Sequence, residues 1–441
     1  MGWPWGMTKY QWLVVFAAWL GWGFDAVDAL LFNYVAENCI PTLLEIPLHT
    51  PEAAKATQLY TGLLTSILLL GWAAGGVFFG WLADRIGRSK TMILTILVYS
   101  LGTALCAFAP NIYFLILFRI IASLGIGGEW AAGAAMVAEV VPKERRVEAG
   151  ALLYTSAPFG IVGAALINKF VAGWWLVGHP EYSWRVVFLF GLLPALAAAA
   201  LRFWLKEPEI FEQEGDRNVR FGDLFGKEIW PLTRSGVLMA VTALLGWWTL
   251  GAFNPPFTGA VALEHAKALG LTPQATAKVV ADWKLWATAL FSFGALVGTL
   301  LTVPVAKRWG RKAMFRLYFS ASIVVIWICF GLGLSPLQRL SMQIPLGITV
   351  FGVLGSFTYY LPELFPTRLR ATGAGFCYNI GRVITAFGPF FVGTVAKGGV
   401  ESMQRVMFWM FLVPLVGLFC MPWVVETRPE DFCAGGSSSA S

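Results

Sequence analysis

Charge, histidine and metal-type cysteine spacing are all scarce in this chain. Of 441 residues, 13% are charged and three are His. A soluble domain carries nearer a quarter charged residues, so an ordinary water-soluble globule is excluded. His49, His179 and His265 fall in polar connections, which argues against a His-based metal or proton site within the apolar runs. The six Cys (Cys39, Cys106, Cys329, Cys377, Cys420 and Cys433) show no CxxC spacing, so neither a zinc site nor a disulfide framework is expected. A nucleotide-cradling P-loop is missing, which argues against ATP as a direct energy source. The chain also lacks a nucleophile elbow and a metal-spaced His or Cys cluster, so an enzyme is not expected and no cofactor is called for. Nor is there a small-residue cleavage site after the first apolar run, so that run reads as a span and not a removed leader.

Apolar residues are abundant instead, at 57%, with a mean hydropathy of +0.67. A helix needs about 20 apolar residues to cross the hydrocarbon core of a bilayer. Twelve such runs appear, near 10–35, 58–83, 90–109, 112–138, 149–175, 184–205, 232–263, 280–306, 313–333, 338–361, 371–397 and 402–425. Blocks of this length without strict alternation argue against a closed barrel. The expected fold class is all-α integral membrane, twelve transmembrane helices in two six-helix bundles. The bundles are 1–205 and 232–428, joined by a polar cytoplasmic connection at 206–231, with a flexible tail at 429–441. That connection is too short to be the output domain of a sensor.

The net charge of +7 raises the question of an anionic partner such as nucleic acid. Its distribution answers it. With the N-terminus inside, 21 of the 32 Lys and Arg fall in inside segments and 9 outside. The excess therefore follows the positive-inside rule. Both termini are expected in the cytoplasm, the lipid bilayer is the expected environment, and no nucleic acid is implied.

The two halves carry a repeated pattern. "GWLADRIGRSK" follows the second span and "VPVAKRWGRKA" the eighth, pairing Gly87 with Gly310, Arg85 with Arg308 and Arg88 with Arg311. Asp84 is replaced by Lys307 in the second copy. "EVVPKERRVEAG" and "ELFPTRLRATG" repeat after spans four and ten, matching Glu139 to Glu363, Pro142 to Pro366 and Arg146 to Arg370. Parallel six-span repeats are a transporter architecture.

On these residues the sequence resembles the major facilitator superfamily over essentially its whole length. "GWLADRIGRSK" is similar to the family's G-x-L-x-D-R-x-G-R-R/K signature. The resemblance implies that Asp84, Arg85 and Arg88, with Gly80 and Gly87 beside them, take part in gating on the cytoplasmic side. The alternative is that these charges only set topology. Lys307 at the acidic position implies a weaker latch in the second half.

Five ionisable side chains stand out away from the span ends: Asp25, Asp28, Arg119, Glu129 and Arg382. Each costs roughly 2.5–3.5 kcal/mol or more at the centre of a bilayer, and such groups usually line a pathway. Asp25 and Asp28 are three residues apart and share a helix face. At about 1.5 Å per residue, Asp28 and Arg119 lie at similar depths, roughly 10 Å in, so an Asp–Arg pair across spans one and four is expected. Three acids against two bases leave one acid able to carry a proton. The structural alternatives are that Asp25 is merely hydrated or caps a local break, that Arg119 is a clamp, and that Glu129 makes an internal polar contact. "FDAVDALLF" and "RIIASLGIGGEW" resemble the D-G-F-D-type and R…G-x-G-x-x-G-E patterns of acid:proton symporters within the superfamily, among them sialic-acid and aromatic-acid symporters. Ser123 replaces a common Gly of that pattern.

Pro255 and Pro256, in "GWWTLGAFNPPFTG", are expected to kink or break the seventh span, with Asn254 in a cavity. Small residues at Gly71, Gly75, Gly76 and Gly80 are read as close helix contacts. Tyr154 and Tyr378 are candidates to stack on substrate.

The leading expectation is proton-coupled uptake of a small organic-acid anion, such as a monocarboxylate, sialate or aromatic acid, by alternating access. Asp25, Asp28, Glu129 and Arg119 would serve proton coupling, and Arg382, Arg119, Asn254, Tyr154 and Tyr378 substrate binding. The alternative is a proton-independent facilitator or exporter of a neutral solute such as a sugar. A monomer in a bacterial inner membrane is expected.

Overall fold

The computed structural model describes residues 4–48, 50–176, 179–201, 204–209, 219–386 and 399–427. His49, Cys433, the tail at 429–441, and parts of the expected central connection and eleventh span lie outside the described residues. In hydrocarbon, each backbone N–H and C=O has to be satisfied within its own segment, so apolar runs of this length become helices. Helix α1 is Lys9–Leu43, α2 is Pro51–Ile86, α3 is Arg88–Cys106 and α4 is Ile112–Val140. Helix α5 covers residues 146–175, interrupted at Thr155, and α6 covers residues 180–201. Then come α7 (Trp230–Ala268), α8 (Pro273–Trp309), α9 (Arg311–Gly331), α10 (Pro336–Leu364), α11 (Arg370–Thr385) and α12 (residues 399–419). Among the described residues there are these twelve long helical stretches, five short 3-10 turns between or beside them, and no strand. Eight stretches of the described chain are long and apolar enough to cross a membrane, and Met403–Phe419 is a shorter apolar helix.

Several helices overrun the apolar ranges, because polar caps and not hydropathy set their ends. Helix α1 starts from a capping box in which the Gln11 backbone N–H donates to Thr8 Oγ1 at 3.2 Å and the Thr8 N–H donates to Gln11 Oε1 at 2.9 Å. Thr50 and Thr272 cap α2 and α8, whose starts lie earlier than hydropathy predicts. His265 proves to lie in the last turn of α7 and not in a connection.

The expected break at Pro255–Pro256 is corrected: the backbone of α7 is helical through both positions. Each proline removes one donor, but in a helix of 39 residues the ladder on either side persists.

The chain forms two compact units. Unit 1 is Met1–Leu224 together with Phe365–Asn379, and unit 2 is Phe225–Leu364 together with Ile380–Ser441. Within unit 1, α2 and α4 approach through glycine. A Cβ at Gly71 would overlap Ser123, one at Gly75 the Leu124 backbone, and one at Gly127 the Trp72 carbonyl. Within unit 2, α8 and α10 repeat this, with Gly294 and Gly298 against Ile344 and Ile348. Close backbone approach stands in for the hydrophobic driving force that lipid does not supply. Helix α10 widens to a π-helical turn over Gly347–Phe351 and tightens to a 3-10 turn over Gly352–Ser356 at this contact.

Candidate functional site

Four intramembrane charges of unit 1 are buried together along the seam of α1, α3 and α4. Asp25, Asp28, Arg119 and Glu129 are each no more than 1% exposed. Helices α1 and α4 are antiparallel here, because Ala18 faces Gly133 while Gly21 faces Glu129. The Glu129 carboxyl occupies the space that a Cβ on Gly21 would fill. Asp25 is one turn further along α1, about 6 Å away at 1.5 Å per residue. At Gly125, one turn from Glu129 in the same sense, α4 meets α3 so closely that a Cβ would lie 2.5 Å from the Tyr99 backbone N and 2.8 Å from its Cβ.

The Tyr99 hydroxyl faces Asp25 and lies in the field of Asp25, Glu129 and Asp28. Thr103, one turn on from Tyr99, faces Asp28, on which the Arg119 charge acts. The Arg119 guanidinium is 5.4 Å from the Phe32 ring centroid. The expected Asp28–Arg119 pairing is thus present as electrostatic proximity. Apart from the Thr103 contact, neither Asp28 oxygen closes a hydrogen bond of normal geometry among the described residues, and neither do Arg119 Nε and Nη1. Buried polar groups left this way are costly, and such costs are characteristic of sites that exchange protons or ligands.

Beside this column lies an aromatic cluster of the same unit. The Trp130 and Tyr378 rings stack at 4.2 Å with a 16° interplanar angle, and the Tyr154 and Tyr378 hydroxyls are hydrogen-bonded at 3.0 Å. Trp22 packs against Trp72 at 6.1 Å and Tyr154 at 5.7 Å. Both predicted tyrosines are buried in contact with each other, since Phe365–Asn379 belongs to this unit.

The sequence motif after α2 becomes a buried charge network. Asp84 accepts hydrogen bonds from the Thr372 N–H and hydroxyl, both at 2.7 Å, and from the Ala371 N–H at 3.3 Å, and it pairs with Arg88 at 2.9 Å. Arg88 Nε pairs with Glu139 at 2.9 Å, and Arg88 Nη2 donates to the Thr367 carbonyl at 2.7 Å. Arg370 closes the network on Glu139 at 3.0 Å. Two acids and two bases balance, and each bond is charge-assisted.

Arg85 stands outside this network. Its guanidinium lies 4.3 Å over the Trp81 ring and reaches the Val219 carbonyl at 3.5 Å. Gly80 is needed because a Cβ would lie 2.8 Å from the Ala371 carbonyl. Gly87 has φ +116°, a conformation that favours glycine, and lies against the Glu207 carboxylate. That carboxylate accepts the Ser89 and Lys90 N–H groups at 3.2 and 3.0 Å, capping α3.

Unit 2 repeats the arrangement. Gly310 has φ +91°, and Glu426 accepts the Arg311 and Lys312 N–H groups at 2.8 and 3.0 Å. Arg311 binds Glu363 through two nitrogens at 3.0 and 2.8 Å and donates to the Ala306 carbonyl at 3.1 Å. Arg88 donates likewise to the Ala83 carbonyl at 3.2 Å.

Residues 12–281, more than half of the chain, match the sequence profile of the Major Facilitator Superfamily. The chain belongs to the Major Facilitator Superfamily. It is therefore a multi-pass membrane transporter, and its family and relatives are transporters, not enzymes. It is 28% identical over 414 residues to the cis,cis-muconate transport protein of Acinetobacter baylyi, covering 89% of each chain. It is 26% identical over 415 residues to the sialic acid transporter NanX of Escherichia coli, covering 91% of this chain and 93% of that one. A solved structure of the proton:xylose symporter XylE matches with a TM-score of 0.74 at 18% identity, covering 95% and 97% of the two chains. That likeness shows the twelve-helix superfamily fold.

The remaining predicted residues of this superfamily member lie in unit 2. Arg382 is buried near the end of α11 as described, at 2% exposure. Asn254 is locked to Gln343 by two reciprocal amide hydrogen bonds, Asn254 Nδ2 to Gln343 Oε1 and Gln343 Nε2 to Asn254 Oδ1, the latter at 3.0 Å. Among the described residues no group of three or more His, Cys, Asp or Glu is placed to hold a metal ion.

Sequence reasoning missed Tyr99, Thr103, Glu207, Gln343 and Glu426. A glutamate within three residues of a proline after spans six and twelve was the available signal for the two caps. Tyr99 and Thr103 share one helix face at i and i+4, which becomes meaningful only once that face is known to meet Asp25 and Asp28.

Proposed function

We propose that this transporter takes up a small organic-acid anion together with protons. The observation that carries the reading is the column of three carboxylates and one guanidinium buried on the α1–α3–α4 seam. In a bilayer, such a set persists where a proton or an ion is moved. Asp25, Asp28 and Glu129 supply proton acceptors, and Arg119 holds Asp28 in its field. Arg382 and Arg119 are the guanidinium groups suited to a substrate carboxylate. The names of the muconate and sialic acid relatives support a carboxylate substrate.

The Asp84–Arg88–Glu139–Arg370 network acts as a latch, formed in one conformational state of alternating access and broken in another. The chain works as a monomer of two six-helix halves in a bacterial inner membrane, with both termini in the cytoplasm.

Uptake of radiolabelled cis,cis-muconate, sialate, gentisate and lactate into proteoliposomes, with and without an inward proton gradient, tests the reading. Accumulation of at least one anion driven by the gradient is expected. Uptake of all substrates at the same rate and extent without the gradient overturns proton symport.

A further inference from the structure

Tyr99 is a phenol on the α1–α3–α4 seam that lies in the field of all three buried carboxylates. It is fully buried. Its position follows from packing. Gly125 lets α4 close on α3 at the Tyr99 backbone, and Gly21 lets Glu129 cross to α1. Tyr99 therefore lies level with the turn of α1 that carries Asp25, one turn from Glu129.

The charged groups that act on the phenol are Asp25 and Asp28 from α1 and Glu129 from α4, and Arg119 and Thr103 act on Asp28 beside it. From α2, the neighbours at this seam are the uncharged Trp72 and Phe79, which meet α4 at Gly127 and Gly128. The Tyr99 hydroxyl closes no hydrogen bond of normal geometry. Its contact is with Asp25, one of the acids, and with no backbone group that would hold it in place.

Resting on the proton-symport reading, we propose that Tyr99 is the relay through which a proton passes between Asp25 and Glu129. In the step, the protonated Asp25 carboxyl gives its proton to Tyr99 Oη while the Tyr99 O–H gives its own to the Glu129 carboxylate. One O–H bond breaks at Asp25, one breaks and one forms at Tyr99 Oη, and one forms at Glu129, so the phenol stays neutral and Asp25 is left ionised with Glu129 protonated. Rotation of the hydroxyl resets the relay. A phenol suits this because it both donates and accepts, whereas two carboxylates a helical turn apart do not exchange a proton directly.

Tyr99→Phe tests the proposal, because it keeps the buried ring and removes only the hydroxyl. The probe is whichever labelled acid the unaltered protein accumulates. Gradient-driven net uptake is measured beside substrate counterflow at equal pH, which exchanges substrate without moving the proton from one acid to the other. The expected result is a fall of about tenfold or more in net uptake, with counterflow within about twofold of the unaltered protein. The solvent deuterium isotope effect on the residual uptake grows. Unchanged net uptake overturns the relay, and so does an equal loss of both activities, which marks Tyr99 as structural. Failure of the symport reading looks different: the unaltered protein itself then shows no gradient dependence.

Discussion

Asp84 and Thr372 are joined twice, by the Thr372 backbone N–H and by its hydroxyl, each 2.7 Å from Asp84 Oδ2. The carboxylate thereby caps the first turn of α11, where the helix dipole favours a negative charge. Arg88 holds the other oxygen at 2.9 Å.

Asp84→Asn keeps the shape and removes the charge, leaving Arg88 with Glu139 alone. Removing one partner of a buried pair costs about 3–5 kcal/mol. Thermal melting in detergent is expected to fall clearly, while Thr372→Val costs about 1.5–3 kcal/mol, one hydrogen bond to a charged group. Equal melting temperatures for Asp84→Asn and the unaltered protein contradict the latch.

Gly21→Ala inserts a methyl group where the Glu129 carboxyl lies. Either the carboxyl turns away or α1 and α4 separate, at a cost of about 1–3 kcal/mol. Gradient-driven uptake is expected to fall as in Glu129→Gln, and the double variant is expected to be no worse than either single one. Additive losses contradict the idea that the glycine serves the glutamate.

Asn254→Ala strands the Gln343 amide, which is 3% exposed, and costs about 1–3 kcal/mol. Replacing both amides by Leu restores most of that loss, because no polar group is left unsatisfied. A double variant less stable than the single one contradicts this.

The linear motifs were the legible part of the sequence. Arg88 and Arg311 are in equivalent places because "GWLADRIGRSK" and "VPVAKRWGRKA" are local, and local spacing survives folding. Asp25, Asp28, Arg119 and Glu129 were legible because an acid or base in an apolar run needs a reason to be there. What those residues meet was not legible. Glu207 and Glu426 cap helices more than a hundred residues earlier in the chain. Tyr99 and Gln343 are types that membrane helices carry for many reasons. A break at Pro255 and Pro256 was misread because a proline's effect depends on the ladder around it, and α7 extends well beyond both.

Asp28→Asn keeps a hydrogen-bonding side chain but removes the charge facing Arg119. Net uptake is expected to lose its dependence on the proton gradient while counterflow persists. Arg382→Ala is expected to raise KM for an anionic substrate by about tenfold or more, as loss of a charge-assisted contact does. Unchanged kinetics in both variants contradict these roles.

The most direct measurement follows protons themselves. Proteoliposomes loaded with a pH-sensitive dye receive an accepted organic acid in the absence of any imposed gradient. Acidification of the lumen that tracks substrate entry, and that disappears in Asp28→Asn, is the predicted result. Substrate entry with no change in internal pH contradicts the account.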